Sequence, residues 1–147
     1  MAHIELTVTI DRPVPDVYRV LSTPGSTSRW SRSAIEEHMT TPGPLAIGSR
    51  RRATVRGLGG RTAENEIEVT ALEPERRLAV RSVTAPVPFT SAWTFTPVGG
   101  GTRVDWVWDL AMPGWLRPFD GLVGALFARS FEQDLMRLKS MLESGEI

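Results

Sequence analysis

Apolar and polar residues alternate along much of this chain, and the alternation predicts a series of β-strands. The first strand is predicted over His3 to Ile10, where every second residue is apolar. Six more are predicted over Ala34 to Thr40, Ser49 to Arg56, Arg61 to Leu72, Arg77 to Thr84, Phe89 to Thr96 and Thr102 to Leu110. Short connections between these six, such as a hairpin turn over residues 57–60, imply an antiparallel sheet.

A helical spacing of apolar residues marks the end of the chain. Between positions 119 and 142 they recur mostly three or four residues apart, which predicts a long amphipathic C-terminal helix. Pro13 and Pro15 open a short helix after the first strand, because proline suits a first helical turn. A second short helical turn ends at Trp30. Segregated strands and helices indicate the α+β class, and we expect residues 1–147 to form a single domain.

The last strand carries large aromatic residues on one side. Trp106 and Trp108 share a face, while Asp105 and Asp109 lie on the other, because strand side chains alternate. The tryptophan face is expected to meet the C-terminal helix. Such a sheet and helix either pack solidly or leave a pocket between them.

Composition narrows the possible partners. The chain has 17 basic and 17 acidic residues, so bulk charge does not favour a nucleic acid or an anionic membrane. Cysteine is absent and only two histidines occur, so neither a metal site nor a cofactor is expected. The sequence shows no signal peptide, and no apolar run approaches the ~18 residues of a membrane span. We therefore expect a cytoplasmic protein without membrane insertion.

Several runs resemble one protein family. They are Ile10 to Tyr18 with Trp30, Ile47 to Ser49, Leu72 to Leu78, Trp93 to Pro97, and Gly100 to Val104. Together they resemble the polyketide cyclase/dehydrase branch of the SRPBCC superfamily, which also contains START domains and the birch-pollen-allergen fold. The resemblance implies a helix-grip fold, in which a curved, seven-stranded antiparallel sheet surrounds the C-terminal helix. It also implies two short helices after the first strand, and a cavity for hydrophobic molecules between sheet and helix.

In this arrangement the strand alternation predicts which side chains point inward. The predicted set is Val55, Ile67, Val69, Leu78, Val80, Trp93, Phe95, Trp106, Trp108 and Leu110 from the strands, and Phe119, Val123, Leu126, Phe127 and Phe131 from the helix. These residues line a ligand cavity or form an ordinary core, and the sequence leaves both alternatives open.

Arg51 is the polar residue of most interest. It is in phase with Ala53 and Val55, so its guanidinium either lies at the cavity wall or, after a bulge at Gly48, faces solvent. At the wall it would bind a carboxylate, enolate or phosphate head group. Glu37 shares the phase of Ile35 and Met39 and is a candidate partner of Arg51 or a general base, but its place in the strand favours an edge position in solvent. His38 is expected to face solvent.

Two proline-rich loops, residues 42–45 and 85–89, are predicted to surround the cavity opening, and Trp115 and Leu116 are predicted to be exposed. The favoured function is a carrier or sensor of a lipid- or polyketide-like small molecule. One alternative is an enzyme of the polyketide cyclase, aromatase or dehydratase type, with Arg51 and Glu37 as its weak catalytic candidates. The other is an interaction module with a filled core. A homodimer is compatible with all three.

Overall fold

The computed structural model describes residues 2–56 and 60–147. The strands are β1 (Ala2–Ile10), β2 (Ala34–Met39), β3 (Arg50–Arg56), β4 (Thr62–Glu73), β5 (Arg77–Thr84), β6 (Phe89–Val98) and β7 (Gly101–Leu110). The helices are α1 (Val14–Ser22), α2 (Thr27–Trp30) and α3 (Asp120–Ser144), and a 3₁₀ helix (Gly114–Phe119) precedes α3. The predicted order of elements is confirmed. Residues 57–59 of the predicted hairpin turn lie outside the described residues.

The seven strands form one antiparallel sheet in the order β1-β7-β6-β5-β4-β3-β2. Pairing is in register across the middle of the sheet, where Trp106 lies opposite both Leu6 of β1 and Trp93 of β6. The register between β4 and β5 shifts twice, as β-bulges do, and such shifts bend and twist strands. The expected helix-grip fold, a curved sheet around a long C-terminal helix, is confirmed.

Helix α3 crosses the concave face of the sheet and packs chiefly along β1. The buried side chains of its second half include Phe131, Leu135, Leu138 and Leu142, spaced three or four residues apart. Gly145 ends the helix with a φ of 79°, a left-handed conformation that glycine adopts without strain. The end of α3 is further tied down by Arg12, which donates to the carbonyl of Leu142.

The first half of α3 differs from its prediction. Phe119 and Leu126 are 55% and 56% exposed, so their predicted inward positions are wrong. The physical reason is that apolar residues occupy more than one side of this part of the helix, and only the side of Val123 and Phe127 meets the sheet. In the 3₁₀ helix Trp115 is exposed as expected, whereas Leu116 is buried at 7% exposure.

The two proline loops lie at opposite ends of the strands. Residues 42–45 connect the end of β2 to the start of β3, and residues 85–88 connect the end of β5 to the start of β6. The second loop adjoins the segment between β7 and the 3₁₀ helix, because the Ala111 N–H donates to the carbonyl of Pro88.

Candidate functional site

The concave face of the sheet divides into a packed half and a more open half. The packed half, over β1, β6 and β7, is covered by α3, which meets β1 and the tryptophans of β7, and by α1, which meets β6 and β7. In the open half, over β3 to β5, some concave-facing residues are buried, such as Ala53 and Ile67, and others are only half-buried, among them Arg51, Val55, Val80 and Ser82. We call the concave surface of this open half, together with the half-buried side chains that border it, the cleft.

An aromatic cluster fills the packed half. Trp93 stacks on Trp106 with ring centroids 4.2 Å apart and planes 9° apart. Trp30, at the end of α2, meets both rings edge-on at 5.9 Å. The indole N–H of Trp106 donates to the hydroxyl of Ser91 at 2.9 Å. Here the filled-core alternative holds, because these rings occupy the space that a ligand would need.

The aromatic cluster continues from the packed half toward the 85–88 loop. Trp108 stacks on Phe131 of α3 with centroids 4.3 Å apart, and Phe127 lies 5.8 Å from Phe131. Phe89, the first residue of β6, lies 5.1 Å from Trp108. Trp108, Phe127 and Phe89 are only half-buried, so this end of the cluster forms an apolar wall of the cleft.

Glu37 and Arg51 form an ion pair on the concave face. Glu37 Oε2 lies 3.4 Å from Arg51 Nε, and the two side chains are 5% and 19% exposed. Glu37 Oε1 also accepts a hydrogen bond from the Gly25 N–H at 2.8 Å. The expectation that Glu37 lies exposed at the sheet edge is therefore wrong, because the loop before α2 reaches over β2 and meets the carboxylate.

The register explains why Arg51 points inward. It lies opposite Met39 of β2 and Ile67 of β4, in the concave phase. Arg50 points to the outer face and binds Glu68 at 3.1 Å, as the alternating Arg and Glu residues predict. With Arg81 on its other side, Glu68 is held ionised, and the hydrogen bond from Arg81 lowers the pKa of its carboxyl.

Asn65 is a concave residue that the sequence reasoning missed. It lies opposite Ala53 and is only 9% exposed. Its Oδ1 has no hydrogen-bond partner among the described residues, and the same holds for Arg51 Nε and Trp108 Nε1. An available signal was its phase, since Asn65 shares the alternation of Ile67 and Val69 and interrupts an apolar series.

These three polar atoms give the cleft its chemistry. A buried polar group without a partner is unfavourable, and such groups in folded proteins usually have a partner, often water or a ligand. Trp108 Nε1 is a donor and Asn65 Oδ1 is an acceptor, whereas Arg51 Nε faces Glu37 Oε2 at 3.4 Å. A ligand that reached Asn65 Oδ1 and Trp108 Nε1 would need a donor for the first and an acceptor for the second.

Two serines on the concave face, Ser82 and Ser91, are already engaged. The Ser82 hydroxyl accepts the Phe89 N–H at 2.9 Å, and Ser91 accepts from Trp106. Both hydroxyls hold neighbouring strands together. They are therefore less suited than Asn65 to recognise a ligand.

The remaining predicted lining residues separate by burial. Val55, Val80, Trp108 and Phe127 are half-buried and border the cleft. The others are buried, namely Ile67, Val69, Trp93, Phe95, Trp106 and Val123, and all of these except Ile67 belong to the main core cluster. Phe95 lies toward α1, where it meets Tyr18 edge-on at 5.7 Å, and burial there raises the pKa of the Tyr18 hydroxyl.

A separate groove of about 530 Å³ lies outside the cleft, between β1 and the first half of α3. It is lined by residues 2–6 and by small side chains of α3 such as Ala125 and Ala128. A Cβ on Gly124 would lie 3.2 Å from the Cβ of Ala2, so this glycine permits close packing of helix on strand. None of the predicted ligand-binding residues lines this groove.

A second buried carboxylate was also missed. Asp134 of α3 is 2% exposed and accepts hydrogen bonds from the Ser31 hydroxyl at 2.6 Å and the Arg32 N–H at 3.1 Å. It thereby joins the segment after α2 to α3. Both of its oxygens are used within the fold, which indicates a structural role.

A sequence model of a known family matches residues 1–143, and its description is polyketide cyclase/dehydrase and lipid transport. The chain belongs to this family. The expected resemblance to the SRPBCC superfamily is thereby confirmed. A search of curated proteins finds no match.

Solved structures of similar proteins share the fold. A protein from Deinococcus radiodurans is 25% identical, with a TM-score of 0.71 and coverage of 97% of this chain and 98% of that one. A START superfamily protein from Mycobacterium smegmatis is 14% identical, with a TM-score of 0.80 over 98% and 99% of the two chains. A protein from Thermus thermophilus is 18% identical, with a TM-score of 0.79 over 99% of each chain. Similarity at this level of identity establishes the fold and leaves the ligand open.

Proposed function

We propose that this member of the polyketide cyclase/dehydrase and lipid transport family binds a hydrophobic small molecule in the cleft, as a carrier or sensor. The observation that carries the proposal is the buried Asn65, whose Oδ1 faces the cleft side of the sheet without a partner among the described residues. An apolar residue at this position would make the folded protein more stable, so the asparagine is better explained by a role in binding.

The shape of the cleft supports the same function. Its sheet wall contains the half-buried Val55 and Val80, and its far wall contains the half-buried Trp108 and Phe127. Ligand sites typically combine such apolar walls with a few polar groups that fix orientation. The Glu37–Arg51 pair brings no net charge, so the cleft is suited to a lipid- or polyketide-like molecule with polar but largely uncharged groups.

Mass spectrometry of organic extracts from freshly purified protein, together with native mass spectra, tests the proposal. We expect a discrete hydrophobic molecule to accompany the wild-type protein. Val55→Trp would fill the cleft and remove that molecule. Thr54→Trp is the matched control, because it places the same side chain on the outer face of β3, and it should keep the molecule.

Binding of the neutral probe N-phenyl-1-naphthylamine gives a second measurement on the same variants. The wild-type and Thr54→Trp proteins should bind it, and Val55→Trp should not. Equal binding by both variants would show that the hydrophobic site lies elsewhere. A wild-type protein that carries no molecule and binds no probe would contradict the proposal.

An enzyme of the polyketide cyclase, aromatase or dehydratase type is the second candidate. The observation in its favour is that Glu37 and Arg51 lie together on the concave face, since such chemistry requires an acid or base near the substrate. However, one carboxylate oxygen of Glu37 accepts from Gly25 and the other faces Arg51. This arrangement holds the carboxylate in place and leaves it poorly placed to accept a proton from a substrate.

A further inference from the structure

β1 is an edge strand of the sheet, and only part of its edge is covered. It pairs with β7 on one side, and among the described residues no strand pairs with its other side. Near the end of β1 this free side is closed by α3, where Lys139 donates to the carbonyl of Thr9. Glu143 of α3 then accepts the N–H of Asp11, just after the strand. Backbone groups of the odd-numbered residues of β1 therefore point away from β7, because these directions alternate along an antiparallel strand.

The first part of the same edge is open. By the alternation, His3, Glu5 and Thr7 direct their N–H and C=O groups outward, and no hydrogen bond from another described residue reaches these groups. The groove of about 530 Å³ runs beside them, since residues 2–6 form one of its walls. Unpaired backbone groups in a row are a template for a further strand, and proteins usually cover them. Here the cover stops at Thr9, so residues 3–7 can accept a strand.

The side of α3 that faces this edge changes along the helix. α3 is the longest helix of the described residues, none of which is both long and apolar enough to cross a bilayer. Its second half presents Lys139 and Glu143 to β1, whereas within residues 121–128 every residue that lines the groove is glycine or alanine. Small side chains let a second helix approach closely, since the distance between packed helices depends on the residues at the contact. A partner that carries a helix above its added strand therefore fits, and this chain has that arrangement in β1 and α3.

The charges of β1 favour a second copy as that partner and indicate how the two strands align. If a two-fold axis passes through Ile4 and relates two antiparallel β1 strands, each His3 lies opposite Glu5 of the other copy. Opposite charges in this position stabilise a strand pair. An axis through His3 or through Glu5 would instead place identical ionisable side chains opposite each other. An axis through Leu6 would place His3 opposite Thr9, whose carbonyl α3 already binds.

Charge at this edge fixes the alignment of the strands more than it supplies attraction. Within one copy His3 is already bonded to Asp109 and Glu5. Asp120 also lines the groove, so carboxylates outnumber basic groups here. Attraction comes from the backbone, because the two His3–Glu5 pairs exchange about four N–H···O=C hydrogen bonds. Apolar contact adds to it, since the even-numbered residues of β1 are apolar and share the concave side of the strand.

We infer that this chain forms a two-fold symmetric dimer through the open part of β1. The two sheets then join into one across the paired strands, with His3 of each copy opposite Glu5 of the other. The glycines and alanines of α3 allow the two helices to lie side by side above the joined strands. Each copy fills part of the groove of the other. The inference does not depend on the ligand proposed for the cleft.

Sedimentation velocity of the purified protein at several concentrations tests this dimer. We expect the wild-type protein to sediment as a dimer that dissociates on dilution. Ala125→Glu should raise the dissociation constant of the dimer by roughly tenfold, because it buries a carboxylate where the two helices meet. Leu122→Glu is the matched control, since it adds the same charge to an exposed position of α3 that does not line the groove. It should leave the dimer unchanged.

Two results of this measurement would overturn the inference. A monomer at every concentration would leave the edge of β1 to a strand from another protein. A dimer weakened by Leu122→Glu and not by Ala125→Glu would place the interface on the exposed apolar side of α3.

Cysteine cross-linking tests the alignment of the strands, because the chain has no cysteine of its own. We expect a mixture of His3→Cys and Glu5→Cys to form a disulfide between the two variants under mild oxidation, since paired residues bring their Cα atoms about 5.5 Å apart. Each variant alone should cross-link much less, because its two cysteines then lie on different rungs. A mixture of His3→Cys and Thr9→Cys is the matched control and should also cross-link little. Equal cross-linking in all these samples, or none in any, would contradict the inferred dimer.

Discussion

Glu37 of β2 and Arg51 of β3 face each other across the edge of the sheet, with Oε2 3.4 Å from Nε and both side chains turned to the concave side. Their diagonal arrangement follows from the register, in which Glu37 lies opposite Ala53 and Arg51 lies opposite Met39. The pair changes the role expected of Arg51. A guanidinium already beside a carboxylate binds an anionic head group weakly, because much of its charge is compensated.

Removal of the Glu37 charge should therefore change which ligands bind. We predict that Glu37→Gln increases affinity for the anionic probe 1-anilinonaphthalene-8-sulfonate several-fold and leaves N-phenyl-1-naphthylamine binding unchanged. The glutamine keeps an oxygen for the Gly25 N–H, so the fold should be preserved. Arg51→Ala should weaken binding of the anionic probe only.

Arg50→Ala is the matched control for Arg51→Ala, because Arg50 is the preceding residue but lies on the outer face with Glu68. Fluorescence titration of the four proteins with both probes measures the effect. Parallel losses for the anionic and neutral probes in Arg51→Ala would remove the proposed role of this residue.

At Asn65, a substitution that stabilises the fold should weaken ligand binding. We predict that Asn65→Leu raises the free energy of unfolding by about 1 kcal/mol, because it replaces a buried polar group that has no partner among the described residues. The same variant should bind less of any ligand that donates a hydrogen bond. Urea midpoints measure the first effect, and a lower midpoint than wild type would show that Asn65 supports the fold instead.

The tryptophans should differ in their contributions to stability. Trp106 is 4% exposed and stacked on Trp93, so Trp106→Ala should destabilise the fold by ~3–5 kcal/mol. Trp108→Ala should cost clearly less, because Trp108 is half-buried at the cleft. Trp115→Ala, at an exposed position, should remain within about 0.5 kcal/mol of wild type. Urea unfolding of the three variants measures the loss of unfolding free energy in each. Equal losses for Trp106→Ala and Trp108→Ala would contradict this ranking.

The fold was predictable because its signals are local and repeated. The alternation in β1 and β7 predicts that Leu6 and Trp106 each share a face with the apolar residues of their strand, and in the structure the two lie opposite each other. Polar residues of the cleft were harder to place. The periodicity of a strand predicts which face of the sheet a side chain lies on, but it does not predict which residues contact it. The contact between Glu37 and Gly25 depends on how a loop covers β2, and no pattern in the sequence states this.

Exposed apolar residues were the main source of error. Phe119 and Leu126 fit a helical period, but a period cannot show that one helix has apolar residues on two sides with different partners. Asn65 was overlooked because it lies between glutamates, Glu64, Glu66 and Glu68, that are predicted to face solvent. Its phase, matched to Ile67, would have identified it.

A pH effect is expected at the edge strand β1. His3 Nδ1 lies 2.6 Å from Asp109 Oδ1, and this hydrogen bond, with a second to Glu5, raises the pKa of His3. Its contribution to stability is fully present below the unfolded pKa of about 6.5 and is lost as the pH rises through the folded pKa.

The stability difference between wild type and His3→Gln should therefore shrink as the pH increases above about 6.5. Urea unfolding at several pH values measures this difference, and NMR titration gives the pKa of His3 directly. Asp109→Asn should bring the pKa of His3 down. A difference that grows with pH would contradict the assignment.

Ligand-induced NMR shifts locate the hydrophobic site most directly. Titration of labelled protein with N-phenyl-1-naphthylamine should shift the Asn65 side-chain amide and the Trp108 indole N–H before other signals. The signals of Ala2 to Leu6, and those of Gly124, Ala125 and Ala128, border the separate groove at β1 and should change little. Shifts confined to that groove, with Asn65 and Trp108 unaffected, would show that the cleft is not the binding site.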